Sequence, residues 1–257
     1  MSSINSLVGD FLDLVMGASF PVAFTGAGIS TESGIPDYRS PGTGTWEQMD
    51  PSVVSLDGFY ADPAKYYRYA LEMYPIRSKA GPNQAHSLLA TLEAKELVQG
   101  VITQNVDGLH HKAGSRRVYE LHGSLREAEC LNCGVTYPMD EIMERVKGGE
   151  IPPLCTGCNG RLLKPKAVFF GEELPQNTWQ EAMALVEKSD LLIVIGSSLQ
   201  VSPANLLPNV IIRSGGKLII INLMPTPYDE YATLLIREKA GGFASVALEI
   251  LRTRMRV

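Results

Sequence analysis

The chain has 257 residues, 45% hydrophobic and 20% charged, with 23 basic and 28 acidic side chains giving a formal net charge of −5. At roughly 150 residues per domain this is one large domain, or one carrying an inserted module, and the composition excludes a disordered, collagen-like or coiled-coil chain. The acidic balance lacks the basic excess of a general nucleic-acid binder, so direct nucleic acid binding is not expected.

In chain order, Ile4, Leu7, Val8, Phe11, Leu12 and Val15 fall at helical spacing, and Asp10 and Asp13 interrupt any signal sequence. A cytoplasmic protein is the expectation. The apolar run Pro21 to Thr25 reads as a buried parallel strand, as do Val101 to Thr103, Leu191 to Ile195 and Lys217 to Ile221. Residues 36–82 hold the turn signals Pro41-Gly42, Gly44, Asp50-Pro51 and Asp62-Pro63 and an aromatic helix around Tyr66, Tyr67 and Tyr69. A helix is predicted over Asn83 to Gln99, with Ala85, Leu88, Leu89 and Leu92 on one stripe, and a short strand at Val118-Tyr119. Residues 126–161 hold all four cysteines, a short helix near Asp140 to Lys147 and the breakers Gly148-Gly149 and Pro152-Pro153. Trp179, Met183 and Val186 mark a helix over Thr178 to Lys188. The uncharged stretch Leu191 to Ile212 carries too many polar residues and prolines for a membrane span, and reads as strand, polar loop and helix.

Strands alternating with helices predict an α/β fold, a mostly parallel sheet with helices on both faces. The expected organisation is a core made of 1–37, 83–125 and 162–257, interrupted by a loop and helical insertion over 38–82 and a zinc-binding module over 126–161.

Cys130-x-x-Cys133 and Cys155-x-x-Cys158, with residues 134–154 between them, have the spacing of a four-thiolate zinc site, and Gly134, Gly157 and Gly160 permit the tight turns. Four cysteine ligands leave no open position for water, so this metal would hold a fold and perform no hydrolysis. Two disulfides or free core thiols are the alternatives.

After the first strand, Gly26-Ala27-Gly28 lets the backbone approach a pyrophosphate, although Thr31 stands where the third glycine of a G-x-G-x-x-G fingerprint belongs. Alone, such a segment is equally well a simple tight turn. The other strand ends are polar too: Gln104-Asn105-Val106-Asp107, Gly196-Ser197-Ser198, and Asn222 where dinucleotide folds place an acid. Each alone could be a local turn. Of the four histidines, His86 lies in the Asn83 helix as a packed or surface residue, and His110 and His111 cap a helix or bind substrate. His122, in Glu120-Leu121-His122-Gly123-Ser124 just after a strand, is the first candidate for a general base, since only imidazole titrates near neutrality unperturbed.

Gly26 to Ser40 (GAGISTESGIPDYRS), Thr103 to His110 (TQNVDGLH), Glu120 to Ser124 (ELHGS), the two C-x-x-C pairs, Phe169 to Glu172 (FFGE), Gly196 to Ala204 (GSSLQVSPA) and Ile221 to Leu223 (INL) together resemble the sirtuins, NAD-dependent protein deacylases. The resemblance covers nearly the whole chain and implies a Rossmann-like core. It implies that His122 is the general base, with Asn105 beside it at the reacting centre. Gly26, Ala27, Gly28, Thr31, Tyr38 and Arg39 would line the loop over the pyrophosphate and nicotinamide. Gln104, Asn105, Val106 and Asp107 would hold the ribose and nicotinamide, and Gly196, Ser197, Ser198 and Asn222 the adenosine half, with Leu223 and Ala240 near the adenine. Val168, Phe170 and Gly171 would flank the acyl-lysine, its peptide pairing as an added strand between that segment and Gln200 to Ser202. Tyr38, Ser197 and Ser202 depart from the commonest family residues but keep ring, hydroxyl and small polar character.

The implied reaction consumes NAD and an acetylated protein lysine, of a chromatin protein by family habit, and yields free lysine, nicotinamide and O-acetyl-ADP-ribose. A dehydrogenase would need neither the cysteines nor the Gln104-Asn105-x-Asp107 segment, and a zinc-ribbon module would explain the cysteines alone. Within the family, mono-ADP-ribosyl transfer and removal of longer or acidic acyl groups are the rivals. Acid-selective members carry a Tyr-x-x-Arg pair that Tyr67-Arg68-Tyr69 does not reproduce, and Tyr74-x-x-Arg77 lies later in the helix, so acetyl-lysine is the expected substrate.

Overall fold

The computed structural model describes residues 3–40, 42, 44, 45 and 49–255. The turn expected at Pro41 lies outside the described residues. Six strands form a parallel sheet: β1 (Pro21–Thr25), β2 (Val101–Thr103), β3 (Val118–Glu120), β7 (Leu191–Ile195), β8 (Lys217–Ile221) and β9 (Leu234–Ile236), in the order β3-β2-β1-β7-β8-β9. Three more, β4 (Gly123–Cys130), β5 (Thr136–Pro138) and β6 (Leu163–Ala167), make a small antiparallel sheet in the order β5-β4-β6.

The inner strands β1, β2, β7 and β8 are buried almost throughout, as strands of a parallel sheet covered by helices on both faces are. Along β1, β7 and β8, Ala23, Ile193, Ile195, Ile219 and Ile221 enter one core with α1 (Ile4–Gly17), α4 (Gln84–Ala94) and α9 (Ala240–Arg254). The alternate residues Val22, Phe24, Leu192, Val194, Leu218 and Ile220 enter a second core with α7 (Gln176–Glu187) and α8 (Leu207–Arg213). Alternation at period two therefore feeds both faces of one sheet. The expected stretch from Leu191 to Ile212 resolves into β7, a polar loop and α8. Among the described residues no helix is long and apolar enough to cross a membrane.

The two excursions share a third core. Helices α2 (Leu56–Ala61) and α3 (Pro63–Lys79) bring Phe59, Tyr66, Tyr67 and Ala70 against Ala128, Cys130, Cys155 and Leu163 of the cysteine module and Ile142, Met143 and Val146 of α6 (Met139–Lys147). The Tyr67 hydroxyl donates to the Leu163 carbonyl at 2.6 Å, satisfying its polar end inside that core. The small sheet starts at Gly123 and ends at Ala167, so its hydrogen bonds extend on both sides of residues 126–161. Asp50-Pro51 and Asp62-Pro63, read from the sequence as turns, start helices: each aspartate side chain accepts the N–H two residues on, and each proline takes the first helical position, where no donor is needed.

Candidate active site

Thr103, Thr25, Ile195 and Ile221 stand level in the neighbouring strands β2, β1, β7 and β8. The residues that follow them, Gln104, Gly26, Gly196 and Asn222, therefore form one row along the carboxyl edge of the sheet. From β1 the chain builds outward to β2 and β3, and from β7 to β8 and β9, so the topology reverses between β1 and β7. A crevice at such a switch point is where open α/β sheets bind ligands.

At that point the backbones of two strand exits meet. Gly26 N–H donates to the Ile195 carbonyl at 3.1 Å and Gly28 N–H to the Gly196 carbonyl at 2.8 Å. A Cβ on Gly28 would lie 2.8 Å from Gly196 main chain, and Gly196 itself has φ +64°, so this approach admits only glycine. A 3₁₀ helix, Ala27–Ser33, leaves directly from it. The exposed Thr31 hydroxyl donates back to the Gly28 carbonyl at 3.0 Å. Exposed Tyr38 follows, and Arg39 reaches across the gap to the Ser198 hydroxyl at 3.3 Å. Ser197 spans it from the other side, donating to Gln104 Oε1 at 2.8 Å. Asn222 turns its amide onto the Met224 carbonyl at 2.7 Å, Leu223 is exposed, and Ala240 is buried in the first turn of α9. The Gly241 N–H of that turn donates to Glu32 Oε2 at 2.5 Å, an acid suited to a helix N-terminus.

Asn105 and Asp107 are held by a residue the sequence reading passed over. Asn105 is buried and its amide donates to the Gly26 carbonyl and to Ser30 Oγ, both at 3.1 Å. Ser30 in turn donates to Asp107 Oδ2 at 2.7 Å, and Asp107 Oδ1 accepts Leu109 N–H at 2.9 Å, at the start of α5 (Leu109–Lys112). His86 completes the set. Asn83 N–H donates to its Nδ1, which fixes the proton on Nε2 and makes that nitrogen the donor to Ser30 Oγ at 3.4 Å. The signal for this was a capping box with histidine in the place usual for Glu or Gln.

His110 lies 4.9 Å from His86, ring to ring, with Nε2 on the Thr25 hydroxyl at 2.8 Å and Nδ1 without a partner. It is buried, while His111 is exposed and 3.7 Å from Glu120. Burial lowers His86 to about 4 and His110 to about 3, so both are neutral in the folded protein at pH 7. Both values lie below the unfolded value near 6.5. The unfolded chain therefore binds more protons between 6.5 and the depressed values, and stability is lost as pH falls through that window. Urea unfolding at about pH 5 is expected to show a lower midpoint than at about pH 7.5; equal midpoints would mean that the pair is not held neutral.

His122 sits between the two sheets, half-buried. Its Nδ1 lies 2.9 Å from the main-chain carbonyl of Gln104. A carbonyl only accepts, so Nδ1 carries the proton and Nε2 keeps its lone pair. Burial lowers the pKa below the ordinary imidazole value, and the Gln104 carbonyl partly offsets this by favouring the protonated ring. The ring is thus a neutral, singly oriented base at pH 7.

The segment expected to flank the acyl-lysine begins on the backbone of this histidine: Val168 N–H donates to the His122 carbonyl at 2.8 Å. Phe170 is exposed, but its N–H donates to the Val54 carbonyl and its carbonyl accepts Leu56 N–H, both at 2.9 Å. A peptide strand added here, as the resemblance implies, would find both main-chain groups of Phe170 already taken. Val106 and Asp107 border a neighbouring cavity of about 550 Å³, which Tyr66, Leu125, Met139 and Met143 also line.

The four cysteine sulfurs lie within 4.8 Å of one another, with Cys130 to Cys158 at 3.6 Å and Cys133 to Cys155 at 3.5 Å. Zn–S bonds of about 2.3 Å in a tetrahedron put sulfurs about 3.8 Å apart, so one Zn²⁺ fits the set. The knuckles are pinned by Gly134 N–H to the Cys130 carbonyl and Asn159 N–H to the Cys155 carbonyl, each at 2.8 Å.

The family model of the Sir2 family matches residues 26–203. An NAD-dependent protein deacetylase of Thermotoga maritima is 46% identical over 93% of this chain and 96% of that protein. NAD-dependent protein deacetylase 2 of Caldanaerobacter subterraneus is 48% identical over 89% of this chain and 90% of its own length. Two solved Sir2 structures superpose closely over 95% of this chain and 98% of theirs. One, with a deacetylated p53 peptide and 3'-O-acetyl ADP ribose, has TM-score 0.91 at 45% identity. The other, with a p53 peptide and NAD⁺, has TM-score 0.89 at 44% identity. On sequence and fold alike, this chain belongs to the Sir2 family.

Proposed function

We propose that this protein removes acetyl groups from protein lysine side chains at the expense of NAD, giving deacetylated lysine, nicotinamide and O-acetyl-ADP-ribose. The observation that carries this is His122: its proton is locked on Nδ1 by the Gln104 carbonyl, so a free Nε2 base stands beside the crevice where β1 and β7 diverge. When bound, NAD supplies the ribose carbon that takes up the acetyl oxygen. Gly26 and Gly28 let the backbone close on the β7 exit, and Ala27, Thr31, Tyr38 and Arg39 cover the phosphates and nicotinamide. Asn105 and Asp107, fixed by Ser30, shape the nicotinamide and ribose pocket, with Gln104 and Val106 in the same turn. Gly196, Ser197, Ser198, Asn222, Leu223 and Ala240 form the adenosine side. His122 accepts a proton from a ribose hydroxyl through Nε2. Val168, Phe170 and Gly171 flank the acyl-lysine.

Cys130, Cys133, Cys155 and Cys158 would hold one structural zinc, leaving no coordination position open for water. Free thiolate ligands suit a reducing compartment, which supports a cytoplasmic location. A net charge of −5 suits a basic, lysine-bearing substrate such as a chromatin protein. The division into a core of 1–37, 83–125 and 162–257 with insertions over 38–82 and 126–161 remains our proposal for the domains.

One feature favours a second reading, longer or acidic acyl groups. Tyr74 and Arg77 both line the 550 Å³ cavity beside Asp107, with the Tyr74 hydroxyl donating to Asp140 at 2.7 Å and Arg77 to the Tyr69 hydroxyl at 3.2 Å. Incubation with NAD and acetyl-, succinyl- or myristoyl-lysine peptides separates the readings. Nicotinamide release fastest with the acetyl peptide is expected. A preference for succinyl or myristoyl would transfer the assignment to that class, and reduction of NAD, seen as absorbance, would remove the protein from deacylation altogether.

A further inference from the structure

We propose that Lys164 is a positioning residue for the acyl-lysine peptide: its buried ammonium holds the turn Phe169–Glu172 and with it the main-chain groups of Val168 and Gly171. This rests on the peptide site proposed above.

Lys164 and Lys166 lie two residues apart on β6 and have opposite environments. Lys166 is exposed and pairs with Glu127 at 3.1 Å, an ordinary surface contact. Lys164 has only 7% of its side chain exposed. A buried ammonium is costly unless it is surrounded by acceptors, and here it is. Its Nζ donates to the Ala167 carbonyl at 2.8 Å and the Pro165 carbonyl at 3.1 Å, lies 2.8 Å from Glu172 Oε2, and sits 4.4 Å from the centre of the Phe169 ring.

Those partners bracket the peptide segment. Ala167 is the residue before Val168, and Glu172 the residue after Gly171. Glu172 Oε2 also accepts Phe169 N–H at 2.6 Å, while Glu172 N–H donates to the Phe169 carbonyl at 3.0 Å and Gly171 takes φ +92°. That is a tight turn with glycine at its left-handed position. One cation thus ties both ends of Val168–Gly171 together, while Val168 N–H is anchored to the His122 carbonyl. No apolar residue at 164 supplies this. The role of Lys164 is to set the height of the segment relative to His122, without touching substrate itself.

The test is initial-rate kinetics with NAD and an acetyl-lysine peptide. For Lys164→Met, KM for the peptide is expected to rise about tenfold, with KM for NAD changed less than about twofold. Lys164→Arg, which keeps the cation, is expected to recover most of the loss. A folded Lys164→Met with unchanged peptide KM, equal rises in both KM values, or an Arg variant as impaired as Met would each overturn the proposal. Should Lys164→Met not fold, Glu172→Gln decides by the same split, since it keeps the side-chain shape. Wild-type turnover tests the function separately. If the wild type does not turn over, binding of a fluorescein-labelled acetyl-lysine peptide compares the variants, and equal affinity for wild type and Lys164→Met would overturn the positioning role.

Discussion

His122→Ala is expected to lower NAD-dependent deacetylation by about 10²–10⁴-fold, the usual contribution of a positioned general base, while the protein stays folded. Loss of the ring removes the Nε2 lone pair and one bond, the 2.9 Å contact to the Gln104 carbonyl, at a half-buried site. The main chain of residue 122 keeps its bond to Val168 N–H, so the β4–β6 pairing that this bond extends survives the substitution. Initial rates with an acetyl-lysine peptide, alongside thermal melts, check this. Activity within about tenfold of wild type would show that another group takes the proton. The pH dependence carries the same signature. Burial lowers the pKa of the ring, so in wild type the acidic limb of kcat/KM is expected below the ordinary imidazole value of 6.5.

Cys155→Ser is expected to have the largest effect on stability. Binding of structural zinc to zinc-finger peptides is worth roughly 10–16 kcal/mol, and that energy is folding energy. Cys155 is buried in the same core as Tyr67, Leu163 and Phe169, so loss of the metal exposes the surface that α3 and β6 share. Exchange of one ligand, or removal of the ion by a chelator, is expected to melt the small sheet together with α2 and α3, while the parallel sheet keeps its two cores. Metal analysis should give one zinc per chain in wild type and none in the variant. Full stability of a zinc-free wild-type protein would show that the cysteines hold this module by other means.

How much of this could be read from the residues depends on the range of the interaction. Buried parallel strands are continuous apolar runs, so β1, β2, β7 and β8 appear where the sequence placed them. The C-x-x-C pairs and the strand-end polar residues are local patterns too. The helix predicted over Asn83 to Gln99 stops instead at Ala94. Leu97 N–H bonds to the Leu92 carbonyl and Glu96 N–H to the Glu93 carbonyl, with Glu96 at φ +60°. This is a Schellman stop with glutamate in the usual glycine position, so the sequence carries no visible signal for it. Strands β4 and β6 are half polar and pair over long separations, and they were not foreseen. Ser30 and Lys164 escaped for the same reason: each acquires its role from groups brought near by the fold, Asp107 and His86 for one, the Phe169 turn for the other.

Gln104 meets three parts of the site at once. Its N–H bonds to the Thr25 carbonyl on β1, its side-chain oxygen to Ser197 after β7, and its own carbonyl to His122. Only the second of these bonds belongs to the side chain. Mutation at position 104 can therefore break the side-chain link to Ser197, but the group that selects the His122 tautomer is main chain and is present whatever residue stands there. The proton inventory of His122 is in this sense inherited from the backbone, and drift in the sequence can erode the Ser197 bond at this turn without changing which ring nitrogen carries the proton.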